Sequence, residues 1–168
     1  MVDARHRLDI QFGVEAGGWP DEALLEARAG RVLEHAAGHL ADRLAQPFPD
    51  APVEISLVFT DDDAIRAVNR EWRNQDKPTN VLSFPAFPLQ PGGKPGSMLG
   101  DIVLAEETLR REALDLGIAF DDHLTHLLVH GFLHLFGYDH MTEEEAEVME
   151  GLETRILAEL GLADPYRD

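Results

Sequence analysis

The sequence contains no cysteine, few basic residues and no long apolar run. Without thiols, neither a disulfide framework nor a thiolate metal site is available, so any metal ion must be bound by nitrogen or oxygen. No segment approaches the roughly 20 apolar residues of a membrane span, and the first residues lack an apolar signal core. We therefore expect a cytoplasmic protein without a membrane partner.

Acidic residues far outnumber basic ones. The 168 residues include 32 Asp and Glu against 14 Lys and Arg, which gives a formal net charge of −18. Such a molecule as a whole repels nucleic acid, so RNA binding would be weak, salt-sensitive or assisted by partners. Nine acidic and two basic residues lie between positions 141 and 168, on a predicted terminal helix that could face away from a functional cleft.

Three histidines have the spacing of a metal site. His130 and His134 are four residues apart, so on a helix they lie on one face and can bind the same ion. Gly137 can adopt the backbone that ends a helix, which allows the chain to turn back and present His140. Three nitrogen ligands leave one tetrahedral position for water, as in catalytic zinc sites.

The neighbours of this motif limit its chemistry. Metzincin proteases share the histidine spacing but place a glutamate, their general base, where this chain has Gly131. His126 and His123 share the face of His130, but a straight helix cannot gather four stacked imidazoles around one ion. We therefore interpret His126 as a residue behind the ligands or in the core, and His123 as a residue of the helix start or the cleft lining. Asp139 is interpreted as a turn residue or an acceptor that orients a histidine, in preference to a general base.

Hydrophobic patterns predict one α+β domain over residues 1–168, long enough to bury a core. Strands are expected at 7–12, 53–59, 81–84 and 99–104, and helices at 21–45, from 62, at 106–116, at 123–136 and from 142 to about 161. Asp61 and Thr142 are the predicted caps of two of these helices. We therefore expect a four-stranded mixed sheet with about five helices, including a central buried helix that carries metal ligands. Residues 86–97, rich in proline, are expected to form a loop that acts as a mobile flap near the site.

A second group of residues lies upstream of the metal motif. Four of the 14 basic residues, Arg66, Arg70, Arg73 and Lys77, fall within this short stretch. Arg73 is at the predicted junction of helix and loop, where a planar guanidinium could bind a phosphate through two hydrogen bonds. Arg73 and Lys77 are therefore candidates for substrate binding.

Three blocks of the sequence occur in a characteristic order. They are Arg73 with Thr79-Asn80-Val81-Leu82-Ser83-Phe84-Pro85, then Leu99-Gly100-Asp101-Ile102-Val103, then His126 with the motif of residues 130–140. Together, over roughly residues 50 to 160, they resemble the YbeY family of metal-dependent endoribonucleases. One departure is Asn80, which is often aspartate in that family, so an acid or base role at this position is not expected. Ser83 and Asp101 match the family but are expected to be strand-end and sheet-packing residues.

The resemblance implies an activity, a cofactor and partners. It implies that His130, His134 and His140 bind one zinc ion and that Arg73 is the functional arginine at the mouth of the cleft. We also expect His134 to serve catalysis together with Arg73, and Arg73 and Lys77 to contact substrate. The implied reaction is attack of a metal-activated water on a phosphodiester of single-stranded RNA, in small-subunit ribosomal RNA end processing and ribosome quality control. Ribosomal RNA, ribosomal proteins and a ribosome-associated GTPase are the implied partners. Other divalent transition metals stay open.

Two other functions stay open from the residues alone. The first is a metzincin-like metalloprotease or amidase, against which Gly131 argues. The second is a non-enzymatic, ribosome-associated binding module whose metal ion organises the last helix and the turn before it.

Overall fold

Four strands and five helices make up the computed structural model of this protein, which describes residues 6–166. In chain order they are β1 (Leu8–Val14), α1 (Glu22–Leu44), β2 (Val53–Thr60), α2 (Asp62–Arg73), β3 (Val81–Pro85), β4 (Met98–Ala105), α3 (Glu106–Leu116), α4 (Phe120–Leu135) and α5 (Glu143–Glu159). This confirms the predicted α+β class. None of the five helices combines the length and hydrophobicity of a transmembrane span.

The four strands form one mixed sheet in the order β1-β2-β4-β3. The strands β1, β2 and β4 are parallel, whereas β3 pairs antiparallel with β4 and lies at the edge. The amide of Ala86 donates to the Leu99 carbonyl, so the even-numbered residues of β3 direct their backbone groups toward β4. The backbone groups of the odd-numbered residues consequently point outward from the edge of the sheet. These residues are Val81, Ser83 and Pro85.

The two faces of the sheet are covered by different helices. Ile55 and Leu57 of β2 pack with α1 and α4 in the main core, whereas Val103 of β4 packs with Ile65 of α2 on the opposite face. This division follows from the period of two along each strand. The helix α4 contacts α1, α3, α5, β3 and β4. Most of its residues are buried, as its apolar composition predicted.

Local capping signals identify some helix ends correctly and miss others. Asp61 accepts a hydrogen bond from the amide of Ala64, and Thr142 forms the predicted capping box with Glu145. The helix α4, however, begins at Phe120, three residues before the predicted start. Its N-cap is Ala119, which has no side-chain hydrogen bond and therefore leaves no local signal in the sequence.

The loop of residues 86–97 is attached to the body of the protein at two points. Gln46, just after α1, donates from Nε2 to the carbonyl of Gly93 at 2.8 Å. Leu89 packs against the main core, and its carbonyl lies beside Gly137, just after α4. The loop therefore lies against the C-terminal ends of two helices.

Candidate metal centre and its cleft

The three histidines of the motif converge in space. His130 and His134 lie on consecutive turns of α4, with their Nε2 atoms 3.1 Å apart and their ring centroids 4.6 Å apart. The ring of His140 lies 5.2 Å from that of His134 and 5.7 Å from that of His130. One nitrogen from each ring lies within 4.8 Å of the other two, so the trio could hold a metal ion.

The chemistry of this donor set fits a divalent ion. Two nitrogens bound tetrahedrally to one zinc ion at about 2.0–2.1 Å would lie about 3.3 Å apart. This is close to the observed distance between the Nε2 atoms of His130 and His134. The side chain of His140 is 53% exposed, whereas those of His130 and His134 are 22% and 23% exposed. The trio is therefore open toward solvent on the His140 side, as substrate access requires.

A glycine turn brings His140 back toward the helix. Gly137 has φ +96°, and a Cβ built on it would lie 2.2 Å from the carbonyl oxygen of Leu89. Only glycine avoids both the strained backbone and this clash. Asp139 Oδ1 then accepts from the amide of His140 at 2.8 Å and lies 4.0 Å and 3.9 Å from the Nδ1 atoms of His134 and His140. Asp139 thus serves the turn and makes no hydrogen bond to either ring.

The environment of His134 keeps its ring neutral. Burial and, after it, the neighbouring His130 and His140 rings lower the pKa of His134 to about 4, although Asp139 acts in the opposite direction. At neutral pH the ring therefore retains an unprotonated nitrogen. An unprotonated nitrogen is what metal coordination by histidine requires.

A buried carboxylate lies behind His130. Glu153 of α5 is completely buried and accepts from His130 Nδ1 at 2.6 Å and from His126 Nε2 at 2.9 Å. The Tyr166 hydroxyl also donates to it. Burial raises the pKa of Glu153, but the hydrogen bonds from His126, His130 and Tyr166 outweigh burial and lower it to about 2.

The sequence did not lead us to predict that Glu153 or Tyr166 lies near the three histidines. The sequence suggested that the acidic terminal helix could face away from the cleft. In the structure Glu153 of this helix reaches His130, and Tyr166, which follows the helix, lines the cleft. One signal was present in the sequence: Glu153 falls within the buried stripe of α5 that includes Leu152 and Ile156. A carboxylate at such a position needs buried donors.

A cleft of about 640 Å³ adjoins the histidines. His130, His134 and His140 line it together with Arg73, which lies beside the edge strand β3. Arg73 Nη2 donates to the Ser83 carbonyl at 2.6 Å, and its guanidinium lies 5.0 Å from the centre of the Phe84 ring. Lys77 is exposed and is not among the residues that line the cleft.

Asn80, Ser83 and Asp101, the polar residues of the sequence blocks shared with the YbeY family, lie in or next to strands β3 and β4. Asn80 donates to Glu112 at 3.0 Å and accepts from the amide of Val81, which fixes the start of β3. Ser83 Oγ donates to the carbonyl of Gly131 at 3.1 Å. Asp101 lies within β4, opposite Phe84. Ser83 and Asp101 both lie inside strands of the sheet, whereas we expected them near strand ends.

Comparison with known proteins places this architecture in a family. The family model described as Endoribonuclease YbeY matches residues 22–161. Proteins named Endoribonuclease YbeY from Agrobacterium fabrum and Allorhizobium ampelinum are 69% and 67% identical to this chain, each alignment covering 95% of both sequences. The one from Rhizobium meliloti is 68% identical over 96% of each. The solution structure of TM1509 from Thermotoga maritima shares the fold, with a TM-score of 0.55 and 22% identity over 95% of this chain and all of that one. The chain belongs to the YbeY family.

Proposed function

We propose that this protein is a metal-dependent endoribonuclease that cleaves single-stranded RNA and acts on ribosomal RNA. The observation that carries the proposal is the convergence of His130, His134 and His140 on the cleft that Arg73 also lines. Relatives named as endoribonucleases support the same class of reaction. Small-subunit ribosomal RNA end processing and ribosome quality control are the cellular roles that we propose, in the cytoplasm.

The three imidazoles would hold one divalent ion, for which we propose zinc. Such an ion, when bound, supplies a Lewis acid that lowers the pKa of water and offsets the charge of a phosphodiester. A set of three protein nitrogens is typical of catalytic zinc sites, although copper, nickel and iron also accept it. The neutral ring of His134 supports this role, since its Nε2 faces that of His130.

Arg73 would bind the scissile phosphate on the wall opposite the histidines. A guanidinium has five N–H donors, and the hydrogen bond to the Ser83 carbonyl occupies one of its nitrogens. Donors therefore remain for a bidentate contact with phosphate oxygens. Lys77 lies outside the cleft lining, so we propose that it contacts an RNA segment that extends beyond the cleft.

The charge of the cleft makes RNA binding compatible with an acidic protein. Its lining contains one carboxylate, Asp139, together with Arg73 and four histidines, whereas the whole chain has a net charge of −18. A divalent ion would make this local charge positive. The affinity of the protein alone for RNA should still be modest. We propose that contacts with ribosomal proteins or a ribosome-associated GTPase supply the additional binding energy.

The site argues against the two alternative functions. A metzincin-like protease would need a carboxylate at position 131, but the space beside Gly131 is occupied by Ser83 and Ile102. A binding module organised by its metal would depend on His140 for folding. His140 is more than half exposed, and α5 has its own capping box and buried residues.

Cleavage of an end-labelled unstructured RNA by zinc-loaded protein tests the proposal. We expect internal cuts with the wild type and none with His134→Ala. His6→Ala is the matched control, because His6 is exposed and lies outside the cleft lining, and it should cut at the wild-type rate. Intact RNA with zinc-loaded wild type at every salt concentration would contradict the proposal, and cleavage of casein instead would favour the protease.

A further inference from the structure

Glu153 contacts the candidate metal ligand His130 on the side away from His134. Its carboxylate is completely buried, and its Oε2 lies 2.6 Å from His130 Nδ1. The other ring nitrogen of His130, Nε2, faces His134 Nε2. The ring of His130 therefore lies between a carboxylate and the place where an ion would be held.

The contact with the carboxylate selects which nitrogen of a neutral His130 ring carries the proton. An ionised carboxylate has no donor, so its short contact with His130 requires that the proton of the neutral imidazole be on Nδ1. Nε2 then has a free lone pair. This is the nitrogen that a metal ion shared with His134 would need.

Two further donors hold the carboxylate itself. His126 Nε2 lies 2.9 Å from Oε1, and the Tyr166 hydroxyl donates to the same oxygen. The ring of Tyr166 also packs edge-on against that of His126, with centroids 5.6 Å apart. Because both donors bind Oε1, the carboxylate cannot rotate away from His130 without losing them.

We propose that Glu153 is a positioning residue that fixes the tautomer and orientation of the His130 ring, and that His126 and Tyr166 hold Glu153 in place. Glu153 acts through His130 and lies outside the lining of the main cleft. The inference rests on the proposed metal site, but it concerns a property of the metal-free protein as well. It also gives a reason why a charged residue is buried in α5.

Long-range proton–nitrogen NMR of the histidine rings tests the tautomer directly in metal-free wild type. We expect Nδ1 of His130 to carry the proton and Nε2 to be bare. For Glu153→Gln we expect a mixed tautomer and a 10- to 100-fold weaker zinc affinity, measured by competition with a chelator, since loss of such a partner typically costs about that much. Glu147→Gln, an exposed neutralisation on the same helix, is the matched control and should bind zinc as the wild type does.

Two results would overturn the inference: an Nε2-protonated His130 in the wild type, or zinc binding by Glu153→Gln as tight as by Glu147→Gln. If Glu153→Gln does not fold, Glu153→Asp keeps the charge but withdraws it by one methylene, and the same loss of affinity is expected. The wild-type tautomer decides the matter if neither variant folds. RNA cleavage is not measured here, so failure of the proposed function and failure of this inference remain distinguishable.

Discussion

Ser83 on β3 donates a hydrogen bond to the carbonyl of Gly131 on α4, and its Oγ is the atom nearest to where a Cβ at position 131 would lie. A Cβ at that position would be 3.0 Å from Ser83 Oγ and 3.2 Å from Ile102 Cγ2. The helix that carries His130 and His134 therefore packs so closely against the sheet that a larger residue at position 131 would require Ser83 or Ile102 to shift.

Gly131→Ala should destabilise the protein. Overpacking typically costs about 1–3 kcal/mol, which exceeds the gain of about 1 kcal/mol expected for alanine over glycine in a helix. Urea unfolding measures the difference. Gly151→Ala is the control, because Gly151 is also helical but its Cβ would meet only the end of the Arg155 side chain at 3.6 Å. That variant should be more stable than wild type, and equal effects of the two would contradict the packing argument.

Gly137→Ala should destabilise the protein more than Gly161→Ala. Both glycines have positive φ, +96° and +87°, so both substitutions carry a backbone strain of about 1–2 kcal/mol. Only at Gly137 would the new Cβ clash, with the carbonyl of Leu89. Unfolding experiments on the two variants separate strain from clash. Gly137→Ala should also weaken zinc binding, because the turn places His140, and unchanged affinity would refute that link.

Removal of metal should lower thermal stability by an amount that depends on all three histidines. Zinc at 100 times its dissociation constant would stabilise the folded state by about 2.7 kcal/mol. Calorimetry with and without a chelator measures this difference. His140→Ala should abolish it while leaving the metal-free protein within about 0.5 kcal/mol of wild type, since His140 is exposed. A large loss of metal-free stability would instead favour the binding-module alternative.

Substitution of Arg73 should lower kcat/KM for RNA cleavage. Hydrogen bonds to charged groups contribute about 1.5–3 kcal/mol, so Arg73→Ala should lose about 10- to 150-fold. Arg73→Lys should recover only part, because an ammonium cannot bind phosphate bidentately. Arg70→Ala is the control, as Arg70 lies one turn earlier on α2 and outside the cleft lining. An equal loss in Arg70→Ala would indicate a general charge effect.

RNA affinity should depend on salt only moderately. Contacts with two or three phosphates predict a slope of about −1.4 to −2.1 in a plot of log affinity against log salt for single strands. Filter binding with zinc-loaded wild type at low temperature, where cleavage is slow, measures this slope at several salt concentrations. A slope steeper than about −5 would reveal a basic surface that the cleft does not contain.

Local signals made much of the site predictable. His130, His134 and His140 lie within eleven residues, and helix periodicity with the Gly137 turn suffices to bring them together. The same holds for the cap at Asp61, whose partner is three residues away. These features depend on residues that are close together in the chain, so they can be recognised from a single sequence.

Contacts between distant segments were not predictable in the same way. Glu153 is 23 residues from His130, and its role depends on how α5 packs against α4. The position of Arg73 beside Ser83 depends on β3 being an edge strand, which follows from the strand order and from no local pattern. The resemblance placed Arg73 in the cleft, but only the fold supplied its partners.

The contacts of Arg73 in the free protein lower the entropy cost of binding RNA. An arginine side chain has about 2 kcal/mol of rotamer entropy to lose when it binds a ligand. Here the Ser83 carbonyl and the Phe84 ring already restrict the guanidinium in the free protein. Much of the rotamer entropy of Arg73 is thus lost before RNA binds. The acidic protein, which attracts RNA only weakly, therefore has one preorganised contact for it.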